Sequence, residues 1–207
     1  MLKVKICGIT NLKDAFLASY YGADAVGFIF SKKSPRYITI KTAKKIISQL
    51  GPFVVKAGVF LDERREKVFD IASYLKLDTL QFHGQEIPSY CRFFRPRFKV
   101  IKAIFPQDKP FIKKISLYDV DAFLFDVKYE EKIRNKSKLS NSILKEIAVL
   151  IKKKKKVIIS GGLNAANIVN IKKLKPYAVD VARGVEKSIG RKDERLMKLF
   201  IKNAKQE

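Results

Sequence analysis

Lys3-Val4-Lys5-Ile6-Cys7-Gly8-Ile9-Thr10-Asn11 begins as an alternation of charged or polar with apolar residues and ends in a turn. Period-two alternation predicts a strand over 3–7, with Val4 and Ile6 on one face and Lys3, Lys5 and Cys7 on the other. The turn lacks the G-x-G-x-x-G spacing that opens a doubly wound nucleotide-binding sheet. Outward from this stretch the same unit recurs. β-rich runs lie at 25–30, 53–60, 78–82, 99–103, 122–126, 157–160 and 178–182. Helical spacing fills 12–21, 40–50, 64–75, 143–153 and 167–174, and a last helix is expected at 194–205. Strands alternating with helices imply right-handed βαβ units and a parallel sheet. Eight units in 207 residues average about 26 residues each, the economy of a (β/α)8 TIM barrel with eight parallel strands. No linker or low-complexity segment interrupts it, so one α/β barrel domain is expected over 1–207.

Composition narrows the function classes. The chain carries 44 Lys and Arg against 20 Asp and Glu, a formal net charge of +24, and 47% of its residues are hydrophobic. Such a chain can bury a core, and the charge brings nucleic acid into consideration as a partner. The basic residues are spread along the chain, however, and the aromatics follow strand and core patterns. The densest run, Lys152 to Lys156, reads as a solvated helix end. One histidine excludes metal sites built on a His cluster, and two cysteines 84 positions apart do not make a disulfide framework. Neither a signal-peptide pattern nor a membrane-length apolar run is present. A cytoplasmic protein without metal, cofactor or membrane contact is expected.

In a barrel of this kind chemistry collects at the C-terminal ends of the strands. Cys7, Gln81, His83, Asp126 and Asp180 finish strands on inward faces, more polar residues than packing explains. Ser160-Gly161-Gly162-Leu163-Asn164 follows the seventh strand and opens a helix, an arrangement suited to an anion. Gly184 holds the corresponding place after the eighth strand. Loops seven and eight together form the habitual phosphate site of the fold. Cys91, inside a helical stretch, reads as a buried structural residue.

Several motifs, in order, resemble the phosphoribosylanthranilate isomerase family of tryptophan biosynthesis. They are Val4 to Thr10; Gly22-Ala23-Asp24-Ala25-Val26-Gly27-Phe28-Ile29-Phe30 running on to Lys33-Ser34-Pro35-Arg36-Tyr37; Val59-Phe60-Leu61-Asp62-Glu63; Leu80-Gln81-Phe82-His83-Gly84-Gln85-Glu86; Gly161-Gly162-Leu163-Asn164; and Val179-Asp180-Val181 through Gly184-Val185-Glu186 to Lys192-Asp193. The resemblance implies an Amadori rearrangement of N-(5-phosphoribosyl)anthranilate, an aldose-ketose isomerisation of a small anionic phosphosugar. It implies Cys7 as general base for the C2 proton and Asp126 as general acid for the ring oxygen. Arg36 would hold the anthranilate carboxylate, Asp180 the sugar hydroxyls, and the loops of Gly161, Gly162 and Gly184 the phosphate. His83 is a further substrate-binding candidate. A monomer or a homodimer fits equally.

The residues agree with these roles. Lys5 lies on the face of Cys7 about 7 Å away by strand rise, so its cation should favour the thiolate. Asp126 follows Phe123-Leu124-Phe125, surroundings that favour a retained proton. Two departures stand out. The family's glycine-rich loop after the sixth strand is replaced by a glycine-free, lysine-rich segment, 127–138, and Ala182-Arg183 replaces two serines. Arg183 either substitutes charge for a lost phosphate contact or points to solvent. Another phosphosugar isomerase or epimerase on the same barrel therefore stays open, as does a non-catalytic basic barrel that binds nucleic acid.

Overall fold

In the computed structural model, which describes residues 1–106, 111–127 and 139–206, the alternation closes on itself. The chain runs β1 (Lys3–Cys7), α1 (Leu12–Tyr20), β2 (Ala25–Ile29), α2 (Ile40–Ile47), β3 (Val55–Phe60), α3 (Arg65–Leu75), β4 (Thr79–Phe82) and α4 (Pro88–Phe94). It continues through β5 (Lys99–Ile104), α5 (Phe111–Ser116), β6 (Ala122–Phe125), α6 (Asn141–Lys152), β7 (Val157–Ile159), α7 (Ile168–Lys172) and β8 (Ala178–Val181). A 3-10 turn (Arg183–Val185), a hairpin of β9 (Glu186–Ser188) and β10 (Arg191–Lys192), and α8 (Glu194–Lys205) complete it. Strands β1 to β8 form a closed barrel, parallel at every pairing. The eight-stranded barrel read from the sequence is therefore observed.

Alternation along the strands sorts the side chains into two layers. Val4, Ile6, Phe28, Leu80, Phe82, Phe125 and Val181 join one buried cluster with helix residues such as Ala15, Ala18, Leu75, Phe94, Met197 and Phe200. Each fully buried Phe there contributes roughly 1.5–3 kcal/mol by leaving water. A second cluster, Ile101, Ala103, Ala122, Leu124, Ile158 and Ala178, comes from the inward faces of β5 to β8. Lys5, Gln81, Ser160 and Asp180 share the inward parity and are buried as well. Along β7 and β8 the polar residue follows the apolar one toward the C-terminal end, Ser160 after Ile158 and Asp180 after Ala178.

Local chemistry sets the helix starts. Asn11, Thr39, Ser140 and Asp193 each cap a helix by accepting a backbone N–H with the side chain. Some boundaries differ from the sequence expectation. The run read as a strand from 53 begins pairing only at Val55, and Phe53 stands 96% exposed. The helix read over 167–174 is the five-residue α7. Helix α5 and the β9–β10 hairpin were not anticipated. Lys152 through Lys156 are exposed at the end of α6, as expected of a solvated helix end. Among the described residues no helix is long and apolar enough to cross a membrane. Residues 128–138 of the glycine-free segment lie outside the described ones.

Candidate active site

Strand β1 delivers Lys5 and Cys7 into the barrel, and the neighbouring strands decide their surroundings. Cys7 pairs in register with Gly27 of β2, and Lys5 with Asp180 of β8. A Cβ at Gly27 would lie 2.8 Å from Cys7 Sγ and 3.1 Å from Lys5 Nζ, so glycine is what admits both side chains. Lys5 Nζ donates to Asp180 Oδ1 at 2.8 Å, and both side chains are under a tenth exposed. Ser160, just beyond β7, donates to Asp180 Oδ2 at 3.3 Å.

The site continues around the mouth. Gly161 adopts φ +84°, and a Cβ there would meet Asp126 Oδ1 at 3.0 Å. Asp126, one residue past β6, is buried and accepts from the Val127 N–H at 2.7 Å. His83 Nε2 stands 3.5 Å from Asp126 Oδ2, and Gln81 Nε2 lies 3.1 Å from His83 Nδ1. On the far side of Cys7, the stem of Arg36 lies over Gly8, where a Cβ would come within 2.6 Å of Arg36 Cδ. Contacts thus run from Arg36 past Cys7, Lys5, Asp180, Ser160, Gly161 and Asp126 to His83. Seven of the eight residues singled out from the sequence share this ring or adjoin it directly.

Gly184, the eighth, belongs with Gly161 and Gly162 in a seam between loops seven and eight. A Cβ on Gly184 would lie 1.8 Å from the Leu163 carbonyl oxygen, so only glycine permits the approach. Gly161 and Gly162 both adopt positive φ. Among the described residues no backbone N–H of Gly161, Gly162 or Leu163 donates to a protein acceptor. These loop donors suit an oxyanion without help from a helix dipole. Helix α7 starts only at Ile168, and Asn164 Oδ1 already takes the N–H groups of Ala166 and Asn167. Between Asn164 and the helix read from 167, a side-chain-braced turn intervenes. Arg183 is exposed to solvent.

Electrostatics revise one expectation. Burial pushes the Cys7 thiol above its ordinary 9.0, and this outweighs the opposing pull of Lys5 beside it. Asp180 also raises it, and Lys192 lowers it. The Lys5 cation favours the thiolate, as expected, but it is shared with a carboxylate and does not prevail over burial. Burial acts against the Lys5 charge, but Asp180 and Cys7 hold its pKa above the ordinary 10.5. Cys91 is fully buried and pushed up to about 12 by burial, consistent with a structural thiol. No group of three or more metal-ligating side chains was found among the described residues.

Two residues outside the sequence-derived site also converge here. Glu186 and Lys192, both on the hairpin, contact Arg36 and the Cys7 carbonyl. Their signal was the motif running from Gly184 to Asp193, which shows the residues without showing what they touch.

Comparison with known proteins agrees with the geometry. A family model described as N-(5'phosphoribosyl)anthranilate (PRA) isomerase matches residues 4–203. The chain is 41% identical over 206 residues to the N-(5'-phosphoribosyl)anthranilate isomerase of Thermotoga maritima, covering 99% of each. The crystal structure of phosphoribosyl anthranilate isomerase from that organism is 40% identical, covers 99% of each chain and superposes with a TM-score of 0.89. A crystal structure of a phosphoribosyl anthranilate isomerase in complex with reduced 1-(o-carboxyphenylamino)-1-deoxyribulose 5-phosphate is 39% identical. It covers 99% of each chain, with a TM-score of 0.85.

Proposed function

The chain belongs to the N-(5'-phosphoribosyl)anthranilate isomerase family, isomerases of tryptophan biosynthesis, and from that premise we propose that Cys7 and Asp126 are the base and acid of its rearrangement. The observation that carries this reading is their placement. One finishes β1 and the other follows β6, and the Lys5–Asp180–Ser160–Gly161 contacts link them within one barrel mouth. A base and an acid facing one sugar from two strands can move protons at two of its atoms.

The balance of the reaction assigns each proton. A protonated Asp126 gives its proton to the ribose ring oxygen as the C1–O bond breaks, and the nitrogen lone pair forms the C1=N iminium. Cys7, as thiolate, takes the proton from C2, and the C–H electron pair becomes the C1=C2 bond of an enolamine. The Cys7 thiol returns its proton to C1 while the Asp126 carboxylate takes the proton of the C2 hydroxyl. The product is the 1-(2-carboxyphenylamino)-1-deoxyribulose 5-phosphate ketone, and both residues regain their starting states.

Binding follows the same mouth. The open N–H groups beside Gly161 and Gly162, closed in by Gly184, suit the phosphate of a small phosphosugar. Asp180, buried in the same mouth, would meet the sugar hydroxyls, and His83 neighbours the acid. Arg36 offers a planar fork to the anthranilate carboxylate. The test is growth of a tryptophan auxotroph lacking this isomerase, beside turnover of the purified variants. The parent should restore growth. Cys7→Ala and Asp126→Asn should not, while each purified variant still binds the ketone product within about threefold of the parent. Full turnover by either variant refutes its role.

A further inference from the structure

The hairpin after β8 places a buried carboxylate against Arg36. Glu186 Oε1 accepts from Arg36 Nε at 2.7 Å and Oε2 from Nη2 at 2.6 Å, a bidentate pair. Glu186 Oε1 also accepts from Lys192 Nζ at 3.1 Å and from the Gly190 N–H at 3.3 Å, and its side chain is only 3% exposed. Lys192, with no side-chain exposure, further donates to the Cys7 carbonyl at 2.6 Å and the Ala182 carbonyl at 3.1 Å. The backbone N–H of Lys192 is held by Asp14 Oδ2 of α1 at 2.8 Å. The hairpin is thus fastened to α1 and to the end of β1, and the guanidinium is fastened to the hairpin.

The edge of the guanidinium that is used matters. Arginine has five N–H donors: one on Nε and two on each terminal nitrogen. Glu186 takes the Nε–Nη2 edge. The Nη1–Nη2 end is a second fork of the right shape for another carboxylate. An unrestrained arginine would lose rotamer freedom on binding, whereas this one is held before any ligand arrives. Gly8, which lacks a side chain, leaves the room that its stem occupies. Glu186 lies between two cations: burial works against its charge, yet Arg36 and Lys192 hold its pKa below the ordinary 4.5.

Building on Arg36 as the residue that meets the anthranilate carboxylate, we propose that Glu186 is a positioning residue for that recognition. It presents the Nη1–Nη2 fork of Arg36 to the substrate, and Lys192 anchors it to the end of β1. Glu186 therefore sets the selectivity of the enzyme for substrates with an aryl carboxylate, without touching the substrate itself.

The experiment compares two substrates, N-(5-phosphoribosyl)anthranilate and the analogue in which aniline replaces anthranilate, on the parent, Arg36→Met and Glu186→Gln. The readout is the ratio of their kcat/KM values, which general damage to the fold does not move. Arg36→Met should lower the parent ratio about tenfold or more, the scale of one charge-assisted contact. Glu186→Gln should lower it by about tenfold, with the loss falling mainly in KM for the carboxylated substrate. If Arg36→Met lowers the ratio and Glu186→Gln weakens both substrates alike or neither, the positioning role is overturned and the Arg36 assignment stands. If Arg36→Met leaves the ratio unchanged, the carboxylate role of Arg36 fails and the proposal falls with it. Glu186→Gln leaves Lys192 without its carboxylate, so the double variant Glu186→Gln/Lys192→Met is measured too. It should show the same loss of ratio whatever its absolute rate.

Discussion

Cys7 stands among opposing influences, and their balance makes a prediction about its ionisation. Burial raises its thiol, Lys5 draws it down, Asp180 raises it and Lys192 lowers it, with the net result above the ordinary 9.0. A base with such a pKa is mostly protonated at neutral pH. The thiolate absorbance of the parent, less that of Cys7→Ala, should therefore develop only above roughly pH 9. A buffer series at constant ionic strength measures this, and a full thiolate signal at pH 7 would contradict this balance. The sequence places Lys5 two positions from Cys7 and so suggests a stabilised thiolate. It does not show that the Lys5 ammonium is engaged by Asp180, a residue 175 positions away in the chain. Charge proximity was legible along the strand, while charge neutralisation depended on a pairing that exists only once the barrel closes.

Between elements, the Lys5–Asp180 pair joins β1 to β8 at the barrel's closing seam. Taking two charges out of water is costly, so such a pair is no net source of stability compared with apolar packing, although breaking it is harmful. Lys5→Met, which leaves Asp180 buried without its cation, should lower unfolding stability by about 3–5 kcal/mol. The double variant Lys5→Met/Asp180→Leu should regain most of that loss while remaining inactive. Denaturant titration checks both, and equal stability of the single variant and the parent would contradict this account. The same scale separates what the sequence revealed from what it concealed. Four of the barrel strands were read as ending in an inward polar residue, which located Cys7, His83, Asp126 and Asp180. The hairpin was not legible in this way, because Glu186–Ser188 and Arg191–Lys192 are short, mostly charged and without alternation. Its contact with Arg36 spans 150 positions, so local pattern carries no trace of it. Helix α5 has six residues, too few for a 3.6-residue period to establish itself.

Across the whole molecule, two carboxylates tie the ends of the chain to the barrel and govern its response to acid. Asp24, before β2, accepts from Lys3 Nζ at 3.0 Å, from the Val4 N–H at 2.8 Å and pairs with Lys205 at 2.9 Å. It therefore joins the first strand to the last helix, while Glu186 joins the hairpin to Arg36. Burial works to raise the pKa of Asp24, but Lys205, Val4 and Lys3 hold it below the ordinary 3.8, and Glu186 is likewise held below 4.5. For both, the folded protein binds protons less readily than the unfolded chain. Their contribution is fully present above the unfolded pKa values and is lost as pH falls through the folded ones. On the alkaline side Lys5 and Lys192 oppose each other. The raised Lys5 pKa gives stability that is lost as pH rises through its folded value, whereas burial depresses the Lys192 pKa and imposes a penalty that deprotonation relieves. The acid limb is therefore the cleaner test. Thermal midpoints should be level from about pH 6 downward until roughly pH 4.5 and then fall. Asp24→Asn should lower the midpoint at pH 6 and reduce its fall at lower pH. Added salt of about 1 M should weaken the Asp24 share, whose Lys3 partner is exposed, more than that of the enclosed Glu186. A midpoint that falls equally steeply in the parent and Asp24→Asn would remove Asp24 from this role.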